Sequence, residues 1–402
     1  MTTSRLAPTG GTPSLLRSMN DRAVLEVINA SAPISRAQIA RECGRSKPTV
    51  SLALSRLVQA GVVREVGRSA GRKGASAVLY EIDAKAGTVV GLDVGRGWLR
   101  AAAADLAGKT LAQAERRSTT RSAHALLDRI DDLVDEIVAG ARLRRRQVTK
   151  WVLGTPGVAR PNTRHLALAT NLPGWGKSSV LDRLHEMFGD VVLENDVNLA
   201  TIAEQRFGHG QGVDDFVVVS IGTGVGMGLV LGGTLYRGAS GAAGEIGYLP
   251  IGEPATHNAN QGTLEATTGA DAVVRSARAR GMPGRHSAES IFDAARAGDK
   301  VAKRVVDAEA ERIGIAVAAV ASVVDPSLVV LGGGIGSNAD LLLDGVERKL
   351  HGIWPLKPKV LASALGPDAV LRGALTTALG DAREQVFHNA TRDSSTPAAT
   401  SA

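Results

Sequence analysis

The chain has 402 residues, 44% apolar and 22% charged, a balance that excludes a disordered or fibrous polymer and allows two or three domains with cores of their own. Its single cysteine excludes an intramolecular disulfide and a multi-cysteine zinc site; with no apolar stretch of a signal peptide at the start, and a longest apolar run (near Ile315 to Val324) too short for a bilayer, a cytoplasmic protein is expected. The net charge of +7 sits entirely in residues 1–85, which carry 13 Lys and Arg against 6 Asp and Glu, so a polyanion partner is expected for that segment alone.

Residues 1–14 are polar, with Gly and Pro, and are expected to be disordered. A winged helix-turn-helix is predicted over 15–85. Apolar residues at Leu15, Leu16, Met19, Val24, Val27 and Ile28 predict a helix from Leu15 to Ala30. Ser35, with Gln38 three positions on, has the pattern of a capping box for a short second helix that Gly44 ends. Ser46 is placed to cap a third helix with Pro48 in its first turn; it runs to about Ala60, and Gly61 is its C-terminal stop. Val62 to Val66 and Ala77 to Ile82 read as strands around a basic, glycine-rich tip, which is the pattern of a wing.

A helix-turn-helix presents the N-terminal end of its second helix to the major groove. Lys47, Thr49, Ser51, Ser55 and Arg56 are the side chains expected to reach bases or phosphates, while Val50, Leu54 and Leu57 face the domain core. Arg68, Arg72 and Lys73 on the wing are expected at the minor groove or the backbone. Operator DNA is the expected macromolecular partner.

From Thr88 the pattern changes. Thr88 to Gly95 and Trp98 to Asp105 read as a hairpin, Leu126 to Val138 as a helix, and Lys150 to Gly154 and Val191 to Glu194 as buried strands. Phe216 to Ile221 and Gly226 to Leu231 read as a second hairpin, Lys300 to Val324 as a long helix, and Leu328 to Leu331 as another buried strand. A hairpin followed by alternating helices and strands, occurring twice, predicts two related α/β lobes with a cleft between them. The first lobe is expected over 86–195, with 370–387 returning to it, and the second over 196–369. A Ser, Thr and Ala rich tail over 388–402 is expected to be disordered.

Three glycine turns follow one another along this body: Gly91-Leu-Asp93-Val-Gly95-Arg96-Gly97, Gly222-Thr223-Gly224-Val-Gly226-Met-Gly228 and Gly332-Gly333-Gly334-Ile-Gly336. Backbone amides in such turns can cradle an anion. Between the first and third lie Asn171-Leu-Pro-Gly174-Trp175, Asn195-Asp196, Gly244-Glu245-Ile-Gly247-Tyr248 and Gly262-Thr-Leu-Glu265-Ala. With these motifs and the winged helix ahead of them, the whole chain resembles the ROK family (repressor, open reading frame, kinase). The resemblance implies an α/β body of the two-lobed actin-like ATPase, ribonuclease H-like, sugar-kinase type. It implies sugar contacts at Asn171, Asn195, Asp196, Glu245, Tyr248 and Glu265, and phosphate or nucleotide contacts at Asp93, Gly95, Gly222, Thr223, Gly224, Gly333 and Gly334. Asp196 aligns with the general base of the family's kinases and is catalytic only if the chain transfers phosphate.

The chain departs from the family pattern in three places. Arg96 and Gly97 stand where the first loop has Gly and Thr, and Tyr248 stands where a histidine is usual. The zinc-binding cysteines are absent, and His257 alone cannot complete a tetrahedral site. The expectation is no metal and no cofactor: no zinc, and an ATP site that the altered first loop puts in question. The leading reading is a transcriptional repressor, a homodimer or homotetramer, that senses a sugar or sugar phosphate in the cleft and has no membrane partner. An ATP-dependent sugar kinase with an accessory DNA module and a ligand-independent DNA-binding scaffold are the alternatives.

Overall fold

The structure is a computed structural model that describes residues 13–69, 76–118, 122–159, 166–168, 172, 174–251 and 262–393. The N-terminal module comprises α1 (Pro13–Ser31), β1 (Ile34–Ser35), α2 (Arg36–Glu42), α3 (Lys47–Gln59), β2 (Val63–Arg68) and β3 (Val78–Ile82). The helix starts follow their side chains: Ser35 and Gln38 form the reciprocal capping box of α2, and the Ser46 hydroxyl accepts from the Thr49 amide at the start of α3. Gly44 and Gly61, at φ of 65° and 69°, take the left-handed positions at which the chain leaves α2 and α3. β2 and β3 pair antiparallel as the wing, and β1 adds a short third strand against β3.

One sequence expectation is corrected here, at the start of α1. Pro13 and Ser14 are helical rather than disordered. Leu16 and Met19 are more than half exposed; α1 instead buries Val24, Leu25 and Ile28. The wing tip with Arg72 and Lys73 lies outside the described residues.

The first lobe contains β4 (Thr88–Val94), β5 (Trp98–Asp105), β6 (Thr110–Arg117), α4 (Ala123–Gly140), β7 (Lys150–Thr155), the small pair β8 (Val158–Ala159) and β9 (Leu166–Ala167), α5 (Ser178–Phe188), β10 (Val191–Asn195) and α6 (Asp196–Phe207). The second contains β11 (Phe216–Ile221), β12 (Val225–Leu231), β13 (Thr234–Leu235), α7 (Thr263–Thr267), α8 (Ala270–Ala279), α9 (Ala288–Arg296), α10 (Lys300–Val324), β14 (Leu328–Gly332), α11 (Gly333–Gly336), α12 (Ala339–Ile353) and β15 (Lys359–Ala362), and α13 (Ala369–Asp393) follows it. The two five-stranded sheets have one topology: an antiparallel three-strand meander continued by two parallel strands, in the orders β6-β5-β4-β7-β10 and β13-β12-β11-β14-β15. The third strands of the two meanders, β6 and β13, are absent from the sequence reading. Among the described residues no helix is long and apolar enough to cross a membrane.

α13 returns across β4 and β7 and lies along α6. The crossing is close because Gly373 has no side chain there: a Cβ on it would meet the Leu199 carbonyl oxygen at 1.9 Å. Ala374, Ala378 and Ala382 continue the buried stripe, and the Arg383 guanidinium donates twice to the Leu106 carbonyl oxygen, at 3.0 and 2.7 Å. The helix continues to Asp393, so residues 388–393 are helical where a disordered tail was expected. One apolar cluster contains Leu54 and Leu57 of α3, Val24 and Ile28 of α1, Ala374, Ala378 and Ala382 of α13, and Leu199 of α6. The N-terminal module therefore shares its core with the body.

Candidate functional site

Two faces hold the chemistry. On the N-terminal module, the buried stripe of α3 (Val50, Ala53, Leu54, Leu57) turns Lys47, Pro48, Leu52 and Ser55 to solvent. Lys47 is exposed at the helix start, as expected of a residue that reaches DNA. Thr49 and Ser51 are nearby, but their hydroxyls have local partners: Thr49 bonds Ser46 at 2.8 Å, and Ser51 donates to the Lys47 carbonyl oxygen at 2.9 Å and accepts from Arg36 at 3.1 Å. Arg36, which the sequence reading missed, thus adds an exposed cation to this face. Arg56 departs from expectation. Its guanidinium turns inward to a bidentate pair with Asp21 of α1, whose side chain is only 4% exposed, and so braces the module. Arg68 is exposed at the end of β2.

The second face is the cleft, lined by Gly95, Arg96, Asn195, Asp196, the loop Gly222–Gly226, Glu245, Tyr248 and Glu265, among others. β10 and α6 place its central carboxylate. Asn195 caps α6 by accepting from the amides of Val197 and Asn198 at 2.9 and 3.1 Å, and it donates to the Gly157 carbonyl oxygen at 3.0 Å. Asn195, expected as a sugar contact, lines the cleft and also supports the start of α6 at Asp196. Buried Glu194 reinforces the same corner, accepting from the Asn195 amide, the Asn198 carboxamide and Arg237. Asp196 accepts from the Val197 amide at 2.9 Å, and loss of solvent around its carboxyl raises its pKa.

Glu245 faces Asp196 and Glu265. Burial, then the charges of those two carboxylates, push it up to about 7. Glu265 accepts from the Val225 amide at 3.1 Å and so ties α7 to the second glycine loop. Tyr248 is partly exposed at the rim. Asn171 lies outside the described residues, but Trp175 of the same segment is buried and donates its indole N–H to Thr155 at 2.7 Å.

The glycine loops divide. Gly95, Gly222, Thr223 and Gly224 line the cleft. Gly333 and Gly334 are not among its lining residues: Gly334 is exposed, and Gly333, at φ of 78°, lies against the backbone of Ile221 too closely for a Cβ. Asp93 also sits below the cleft. It is buried, and Arg100 of β5 donates to its carboxylate at 3.1 Å while bonding Glu115 at 3.2 Å. Burial holds the Asp93 carboxyl at about 7 despite Arg100, with Asp196 adding to the rise. Arg100 was absent from the sequence reading; a cation seven residues after the aspartate, on the neighbouring strand of a hairpin, was the available signal.

Two families match this architecture: the ROK family over residues 89–380 and the winged helix-turn-helix DNA-binding family over residues 19–64. The chain belongs to the ROK family. The xylose repressor of Caldicellulosiruptor bescii is 25% identical over 92% of this chain and 98% of its own. The crystal structure of a ROK family transcriptional regulator, a homolog of the E. coli MLC protein, superposes with a TM-score of 0.77 at 25% identity, covering 93% of this chain and 99% of that one. A ROK family glucokinase from Streptomyces griseus, solved with glucose and AMPPNP, superposes with a TM-score of 0.63 at 30% identity, over 73% of this chain and 99% of its own. The kinase thus matches a body-sized share of the chain, and the two regulators match nearly all of it.

The raised Glu245 has a measurable consequence. An unfolded glutamate loses its proton near pH 4.5, whereas the folded one keeps it to about 7. The native state therefore loses stability from this group as pH rises from about 4.5 to about 7. Glu245→Gln removes that loss, so its stability relative to the unsubstituted protein is expected to rise by on the order of 2–3 kcal/mol between pH 5 and pH 8. Denaturant unfolding at a series of pH values measures it; parallel profiles for the two proteins contradict it.

Proposed function

We propose that this chain is a sugar-responsive transcriptional repressor. It binds operator DNA through α3 and the wing, in the cytoplasm and as a homodimer or homotetramer, and a sugar or sugar phosphate in the cleft sets its DNA affinity. The repressor similarity spans both halves of the chain, and one observation carries the coupling between them. α6 begins at Asp196 in the cleft, α13 crosses it in backbone contact at Leu199 and Gly373, and α13 shares an apolar core with α1 and α3. A rearrangement of the lobes around a ligand moves α13 and, with it, the reading helix. In a symmetric oligomer this alters the spacing of two reading helices, which half-site geometry does not tolerate. The surface pair Arg22–Glu384 lies at the same junction and contributes little on its own.

The kinase reading has the glucokinase likeness and Asp196 in its favour. Against it stands the pairing of Asp93 with Arg100, which neutralises the aspartate of the first phosphate loop from within, beside an Arg96 side chain where the family pattern has glycine. The donor set does not suit the family's zinc either. The chain's one cysteine, Cys43, caps the end of α2, and the segment in which the motif falls contains no other. We therefore propose neither zinc nor ATP as a resident cofactor. Gel-shift binding to DNA upstream of the gene, with a panel of sugars and sugar phosphates, tests the proposal. The expected result is sequence-specific binding that one class of sugar weakens; binding that no sugar alters points instead to a scaffold.

A further inference from the structure

We propose that Leu52 reads the C5 methyl group of a thymine in the operator, an inference that rests on the N-terminal module being an operator-binding one. Leu52 is 62% exposed, one turn into α3 and on the face opposite the buried stripe. A lone exposed leucine is ordinary on a protein surface; the company this one keeps is not. It lies between Lys47 and Ser55 on the part of a recognition helix that enters the major groove. Two of the hydroxyls near it are engaged: Ser51 with the Lys47 carbonyl oxygen and Arg36, and Thr49 with Ser46. The middle of this face therefore offers hydrocarbon, flanked by the cations Lys47 and Arg36.

The chemistry of the groove selects the partner. Thymine presents a methyl group there, whereas the other base edges present mainly donors and acceptors. A leucine pressed against such polar atoms displaces their water and returns no hydrogen bond, which is unfavourable. Against the thymine methyl it buries apolar surface on both sides. The other candidate occupant, the protein's own body, meets the module elsewhere, through Ser18, Asp21, Arg22, Leu25 and Leu57 facing Glu384, Phe387 and His388.

The experiment uses the full chain and the operator it selects from a random duplex pool. Each thymine of that operator is replaced in turn by uracil, which pairs identically but lacks the methyl. The expected result is one position per half-site where uracil weakens binding by about fourfold, the factor for burying a single methyl-sized group, and a Leu52→Ala protein that binds thymine and uracil duplexes equally. Leu52→Ala is expected to keep the helical signal and melting temperature of the parent, because the side chain is exposed. Discrimination that survives in Leu52→Ala overturns the proposal, as does a parent protein that selects an operator yet ignores every uracil. A protein that selects no sequence at all overturns the operator-binding reading along with it.

Discussion

Arg56→Ala is expected to loosen the whole N-terminal module rather than to delete one DNA contact. Asp21, its partner, has a side chain 4% exposed, and the pair ties α1 to α3. Removing the guanidinium leaves a buried carboxylate without its counter-charge, a loss of roughly 3–5 kcal/mol in comparable pairs. Amide hydrogen exchange in α1 and α3 is expected to quicken in this variant, and operator binding to fall as a consequence. Replacing both partners with apolar residues, Asp21→Leu with Arg56→Met, is expected to restore much of the protection, because no charge is then stranded. Lys47→Ala provides the contrast: Lys47 is exposed at the helix start, so operator affinity is expected to drop with no change in exchange. Unchanged protection in Arg56→Ala contradicts the bracing role.

The difference between Lys47 and Arg56 shows what the sequence can and cannot disclose. Both are cations on one helix, and the pattern of α3 is set by local rules: Ser46 and Pro48 start it, Gly61 stops it, and 3.6-residue periodicity marks Val50, Leu54 and Leu57 as buried. Local rules do not say that Arg56 will find Asp21, 35 residues away on another helix. The same limit explains Arg100. Its strand is legible, but that its guanidinium reaches Asp93 depends on the register of the hairpin, which pairs Asp93 with Arg100 directly. It also explains Asn195, whose residue type fits a sugar contact and a helix cap equally well. The doubled lobe was legible from the order of hairpins, helices and glycine turns, because each element carries its own periodicity. Strand β6 was missed because Thr110 to Arg117 is mostly exposed and polar, held by pairing with β5 rather than by burial. The helical end of α13 was missed for a related reason: its last turns have no apolar stripe to announce them.

Asp196→Asn is expected to separate the two halves of the proposed function. The asparagine oxygen can still accept from the Val197 amide, and Asn195 still caps α6, so the fold and the ligand-free operator affinity are expected to persist. What is lost is a charged acceptor in a site shielded from water, where a hydrogen bond to a charged group contributes about 1.5–3 kcal/mol. The sugar concentration needed to release operator DNA is then expected to rise by about 10- to 100-fold, read from gel shifts titrated with the sugar that scores in the panel. Two carboxyls give an independent check. Asp93 and Glu245 are both held near 7 partly by the charge of Asp196. In the variant both are expected to ionise at lower pH, which carbonyl-region infrared or NMR titration can follow. The parent protein is expected to release no ADP from ATP in the presence of the same sugar, since Arg100 keeps Asp93 paired. Sugar-dependent ADP release that disappears in Asp196→Asn would make Asp196 a catalytic base and the chain a kinase. An unaltered sugar response in Asp196→Asn, with DNA binding intact, would remove the cleft from the regulatory mechanism and leave the shared core of α1, α3 and α13 as a purely structural dock.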